Sequence, residues 1–156
     1  MILKIRESNM FFYLSMIKDE NTLFYNQSRG SVRNILSSNY VEFRKSQFST
    51  NTADNFKELM INCFYDDNDL LQEIEIFEPN VVCILENNFI GKTVDEISNY
   101  LSKLEIKYAI DSMGVFIDDL GIGTVSNNSG ITECVYLDLE KSSYLNVSDM
   151  DKQGCS

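Results

Sequence analysis

Four features of this chain have residue types that could do chemistry: Gly91-Lys92-Thr93, Gly121-Ile122-Gly123, the run Asp66-Asp67-Asn68-Asp69, and the cysteines. A phosphate-binding loop needs a glycine five positions before Gly91, so that backbone amides can wrap the anion. Glu86 stands there and repels phosphate, so Gly91 is read as ending a turn and Thr93 as capping a helix. Gly121-Ile122-Gly123 lies on a strand-like stretch, not at a helix start, which suits a bulge or a close backbone approach better than dinucleotide binding. The acidic run lacks the alternating ligands, central glycine and twelfth-position glutamate of a calcium loop, so it reads as a solvated turn. With no histidine, serine–histidine and cysteine–histidine catalysis are excluded. Acids are plentiful enough for a carboxylate-pair hydrolase, but no spacing singles out two of them and there is no tryptophan for a sugar platform.

Cys63, Cys83 and Cys134 lie in apolar runs and are expected as buried, reduced thiols. Cys155, in a polar tail, is expected to be exposed. A disulfide, or a metal held by all four thiolates or with added carboxylates, is the weaker alternative. Reduced cysteines imply a cytoplasmic protein. The apolar run Met10–Ile17 follows Lys4 and Arg6, but it is too short and lacks the small-residue cleavage pattern of a signal peptide. It is read as a core segment.

With chemistry set aside, charge is the dominant feature. Residues 1–57 carry eight Lys/Arg against five acids, a net of +3, while residues 58–156 carry five Lys against nineteen acids, a net of −14. The total is −11 in 156 residues. Such a surface repels nucleic acid and anionic membranes and attracts basic proteins. The apolar fraction of 44% is too high for a chain disordered by its charge and fits one domain with one core.

The elements that must carry this charge are legible mainly in the second half. Residues 1–48 leave helix and strand open. Asn21–Gly30 is a polar stretch with a turn signal at Ser28-Arg29-Gly30. Phe56, Leu59, Met60, Cys63 and Phe64 share one helical face, which predicts a helix over 56–65 capped by Asp54 or Thr52. Alternation predicts a strand through Ile74 and Ile76 ending by Pro79, then a strand at Val81–Leu85 and a turn at Asn87-Asn88. Thr93 and Glu96 form a capping box for a helix that aligns Val94, Ile97, Tyr100, Leu101 and Leu104. Strands are predicted at 108–110, 114–117, 121–125 and 131–139, with a hairpin turn at Asn127-Asn128-Ser129-Gly130. Residues 142–156 read as a frayed, flexible tail after a single domain over 1–141. No internal repeat is apparent. The expected architecture is α+β, an antiparallel sheet with helices packed on one face.

Within residues 70–140, the runs Ile74–Asn80, Ile90–Ile97, Asp111–Ile117 and Leu120–Gly123 resemble small bacterial immunity proteins that accompany polymorphic toxins, including contact-dependent growth inhibition systems. The resemblance implies a cytoplasmic protein that binds one cognate toxin domain, and it offers no catalytic residues to carry over. With no histidine an enzyme is not expected, and the expected complex is 1:1, with no cofactor or metal. The toxin is often a basic nuclease, and the immunity protein blocks its active site or its substrate approach. Asp66, Asp67, Asp69, Glu73, Glu75, Asp111, Asp118 and Asp119 are the acids expected to meet that partner. The alternative is an acidic decoy that sequesters a host nucleic-acid-binding protein.

Overall fold

The computed structural model describes residues 10–148 and Cys155; the reading of Ile2–Ile5 lies outside them. Among the described residues, thirteen strands and two helices follow one another. First come β1 (Phe11–Ser15), β2 (Thr22–Leu23), α1 (Arg29–Leu36), β3 (Val41–Phe43), β4 (Ala53–Phe56), β5 (Ile61–Tyr65) and β6 (Leu71–Phe77). Then come β7 (Val81–Ile84), β8 (Asn87–Asn88), α2 (Val94–Lys103), β9 (Ala109–Ile110), β10 (Val115–Ile117), β11 (Ile122–Ser126), β12 (Thr132–Asp138) and β13 (Tyr144–Ser148). A 3-10 turn joins β4 to β5 (Lys57–Leu59) and another joins β10 to β11 (Asp118–Leu120). The large sheet runs β3-β4-β5-β6-β12-β11-β10-β9, and the small one β2-β13-β1-β7-β8. Buried side chains of both sheets and both helices form a single core. The protein is a mostly β single domain.

The alternation read in β6 and β12 is what makes the centre of the large sheet. Ile74, Ile76, Val135 and Leu137 are fully buried, while Glu73, Glu75, Tyr136 and Asp138 lie half-buried between them. The capping box holds as expected: Thr93 Oγ1 accepts from Glu96 N–H, and Glu96 accepts from Thr93 N–H. The hairpin turn at 127–130 is also in place: Asn127 Oδ1 accepts from Ser129 and Ile131 amides, and Gly130 takes a φ of 79°.

The chain is an internal duplication, which corrects the expectation that it has no repeat. Helix, two strands, 3-10 turn and three further strands recur in the same order after β2 and after β8. From β4 to β6 the counterpart lies 61 positions on: Ile61 matches Ile122, Asp66 matches Asn127 and Leu71 matches Thr132. Left-handed residues recur as pairs, Asn26 with Gly91, Met60 with Gly121 and Asp69 with Gly130. Even the isolated bridges recur, Ser28–Leu70 and Thr93–Ile131. In the centre of the large sheet Glu75 pairs with its own counterpart Tyr136, flanked by Ile74–Leu137 and Ile76–Val135. An approximate two-fold axis therefore passes between β6 and β12. The last strand of each unit pairs with the first strand of the other, β7 with β8 and β13 with β2, and β1 fills the middle of the small sheet.

Several expectations fail for stated reasons. Residues 56–65 are not a helix: Phe56 ends β4, a single 3-10 turn reverses the chain, and β5 pairs on both sides with β4 and β6. Helical spacing at 56, 59, 60, 63 and 64 loses to cross-strand pairing, which buries Ile61, Cys63 and Tyr65 at strand spacing. Asn87-Asn88 is not the turn but strand β8; the turn is Leu85-Glu86, both left-handed. The tail assignment over 142–156 gives way at Tyr144–Ser148, which forms β13 and buries Leu145 and Val147.

Repetition makes Met60 and Gly121 a natural comparison. Both end the 3-10 turn in the left-handed region, at φ 57° and 64°. A side chain there costs about 1–2 kcal/mol, against the entropy glycine loses on folding. Met60→Gly is thus expected to raise stability by about 0.5–1 kcal/mol, read as a higher urea midpoint. Gly121→Ala is expected to lower it, since its Cβ would stand 2.6 Å from the Asp138 carbonyl oxygen.

Candidate interaction surface

The predicted acids differ in how tightly the fold holds them. Asp66 Oδ1 accepts from the amides of Asn68 and Leu70 and so closes the β5–β6 turn. Asp69 accepts from Arg29 Nη1 at 3.0 Å and Asn51 Nδ2 at 2.7 Å, and these bonds hold its carboxyl below the usual carboxylate range. Asp111 accepts from the Met113 and Gly114 amides within the β9–β10 turn. Asp67 accepts from the Thr50 hydroxyl and is otherwise exposed. Asp118 and Asp119 are exposed on the 3-10 turn, Asp118 at 3.4 Å from Lys141 Nζ. Glu73 and Glu75 stand on one face of β6, where Glu75 accepts from Asn62 and Glu73 lies 3.5 Å from Lys45. Tyr136 hydrogen-bonds Glu73; burial and that bond both raise its hydroxyl pKa.

Strand register decides which of these share a surface. Asp138 pairs with Glu73, Leu139 N–H donates to the Gln72 carbonyl, and Ile122 pairs with Leu137. The β5–β6 turn, the end of β12 and the Asp118-Asp119 turn therefore sit at one end of the large sheet. That end carries Asp66, Asp67, Asp69, Glu73, Asp118 and Asp119, joined by Asp138 and Glu140, which were not among the expected contacts. Asp111 falls at the opposite end, where Ser126 N–H donates to the Met113 carbonyl. Glu75 lies on the axis midway.

The duplication shows that the fold does not demand these charges. The counterparts of Asp66, Asp67 and Asp69 are Asn127, Asn128 and Gly130, on a turn of the same geometry. Glu73 corresponds to Cys134, Asp138 to Phe77 and Asp118 to Lys57; only Asp119 has an acidic counterpart, Glu58.

Sequence reasoning missed the main charged cluster, which is internal. Asp54, fully buried on β4, accepts from Arg29 Nη2 at 2.8 Å, from Arg33 Nε at 2.8 Å and Nη2 at 2.9 Å, and from Tyr65 Oη at 2.9 Å. Arg33 also reaches Glu42 at 2.8 Å and lies over the Tyr40 ring. Burial alone would raise the Asp54 carboxyl, but the bonds from Arg33, Arg29 and Tyr65 outweigh it and hold the pKa low. A carboxyl depressed on folding contributes stability that is complete above the ordinary value of about 3.9 and is lost as pH falls through the folded value. Acid unfolding of Asp54→Asn is accordingly expected to depend less on pH below about 4 than that of the parent chain, as read by denaturant midpoints across pH. In the second unit the positions of Arg29, Arg33, Asp54 and Tyr65 hold Val94, Ser98, Val115 and Ser126. Arg29 and Arg33 are thus spent on Asp54, which withdraws a net of one positive charge from the surface.

The cysteines also differ from expectation. Cys83 and Cys155 form a disulfide, so Cys83 is not a reduced core thiol and Cys155 is not free. Cys63 and Cys134 are the buried, reduced pair. Burial pushes the Cys63 thiol far up, and burial beside Glu75 and Glu133 pushes Cys134 up to about 12. Both are therefore inert as nucleophiles near neutral pH. The cysteine argument for a reducing compartment loses its basis. Among the described residues no group of three or more acids and cysteines is placed to hold a metal ion, and no helix is long and apolar enough to cross a membrane.

The chain matches no protein-family model, no curated protein and no solved structure.

Proposed function

We propose that this protein is an immunity-type inhibitor that binds one basic toxin domain, such as a nuclease, through the acidic end of its large sheet. The observation that carries the reading is the gathering of carboxylates at that end, at positions whose counterparts in the other unit are mostly uncharged. Carboxylates that the other unit lacks at the same positions, and that repel one another, are best accounted for by a partner of opposite sign. Carboxylates there take the place of nucleic-acid phosphates in a Lys/Arg-lined groove and deny it to substrate. In this reading both helices cover one face of the large sheet and leave the Glu75–Tyr136 face open beside the acidic end. No step of catalysis is required of the protein.

The test is co-expression with the toxin domain of the gene immediately upstream. A 1:1 complex and protection of the host are the expected results. Absence of both defeats the reading, and capture of many unrelated basic proteins in place of one supports the decoy.

A further inference from the structure

The two edge strands of the large sheet, β3 and β9, are related by the two-fold axis and guarded differently. Register equates Val41 and Glu42 of β3 with Ala109 and Ile110 of β9, since they pair with the matched residues Asn55, Asp54, Phe116 and Val115. On β3 the second position is Glu42, tied to Arg33 at 2.8 Å and Arg29 at 3.5 Å. A charged side chain on a terminal strand is a common barrier to edge-on pairing. On β9 the same position is Ile110, 54% exposed and uncharged. Val115 directs its own N–H and C=O to Thr124, and Asp111 N–H bonds the Gly114 carbonyl. By the alternation of an antiparallel ladder, Ile110 therefore turns its N–H and C=O to the free edge. Beside that edge lies a notch of about 80 Å³ lined by Lys107, Tyr108, Ala109, Phe116, Asp118 and Asp119. An aromatic wall and two carboxylates fit the stem and head of a lysine or arginine side chain.

We infer that β9 is the docking edge for an extended segment of a basic protein, which adds as a strand beside Ala109–Ile110 and seats a Lys or Arg side chain between Phe116 and the Asp118-Asp119 pair. This rests on the reading of the protein as a binder of a basic domain, and it names the mode and place of contact. Backbone hydrogen bonds to the edge supply affinity, and the notch selects a cation at alternate positions of the added strand. Lys107 disfavours two adjacent cations, so a segment alternating apolar and basic residues fits best.

A fluorescein-labelled ten-residue peptide of alternating valine and lysine tests this, with a valine–glutamate peptide as control. The parent chain is expected to bind the first and not the second, with amide shifts confined to residues 107–111 and 116–119. Ile110→Pro removes the edge N–H at a position where proline is tolerated and is expected to weaken binding at least tenfold. Ile110→Glu, which copies the guard on β3, is expected to do the same and serves if the proline variant does not fold. Asp118→Asn with Asp119→Asn is expected to weaken binding several-fold. No binding by the parent chain, shifts centred on another surface, or unchanged binding by a folded Ile110 variant overturns the proposal. Toxin protection that survives the Ile110 variants would discard the edge and leave the inhibitor reading standing.

Discussion

Asp54→Val is expected to destabilise the protein by about 3–5 kcal/mol, because it leaves the Arg29 and Arg33 guanidiniums without their shared buried carboxylate. For a chain of this length that is a fall in melting temperature on the order of 10 °C. The duplication supplies the companion experiment. Arg29→Val, Arg33→Ser and Asp54→Val together copy Val94, Ser98 and Val115 into the first unit. Replacing a whole buried ion cluster by apolar residues is often neutral or better, whereas breaking it is not. The triple variant is therefore expected to lie within about 1.5 kcal/mol of the parent chain, well above Asp54→Val alone. If the triple variant were as unstable as the single one, packing volume and not unpaired charge would be the cause.

The second large effect is on association. Reversing Asp67, Asp119 and Glu140 to lysine changes the acidic end by six charges while sparing Asp66 and Asp69, whose carboxylates hold the β5–β6 turn and the Arg29 contact. Steering by complementary charge speeds encounter by tenfold or more at low salt. The variant is expected to associate with the basic toxin domain at least tenfold more slowly at low ionic strength, with little change in its own melting temperature. A matched variant with lysine at Glu58, Glu78 and Glu133 has the same net charge but changes the opposite end of the sheet. Its effect is expected to be several-fold smaller.

Legibility in the sequence followed how local each signal was. The capping box at Thr93 and Glu96, the Asn127–Gly130 hairpin and the alternation of β6 and β12 depend on neighbours within a few residues, and all were readable. Residues 56–65 misled because their apolar positions fit both periods, and the choice was made by β4 and β6 on either side. Tyr144–Ser148 reads as a tail because its partners, β1 and β2, lie at the opposite end of the sequence. The repeat itself left one trace, Phe56-Lys57-Glu58-Leu59-Met60-Ile61 beside Ile117-Asp118-Asp119-Leu120-Gly121-Ile122. It was faint because the units conserve turn geometry and burial more than residue identity. Of the expected contacts, Asp67, Glu73, Asp118 and Asp119 share one free surface, whereas Asp66 and Asp69 were recruited by backbone amides and by Arg29. Nothing in the spacing of Arg29, Arg33 and Asp54 announces that helix α1 and strand β4 bring them together.

Association kinetics across ionic strength test the central claim most directly. The rate constant for the parent chain and the toxin domain should fall steeply with salt, and the slope should flatten for the Asp67, Asp119 and Glu140 reversal but not for the Glu58, Glu78 and Glu133 reversal. Equal slopes for the two variants would contradict an acidic end as the contact surface.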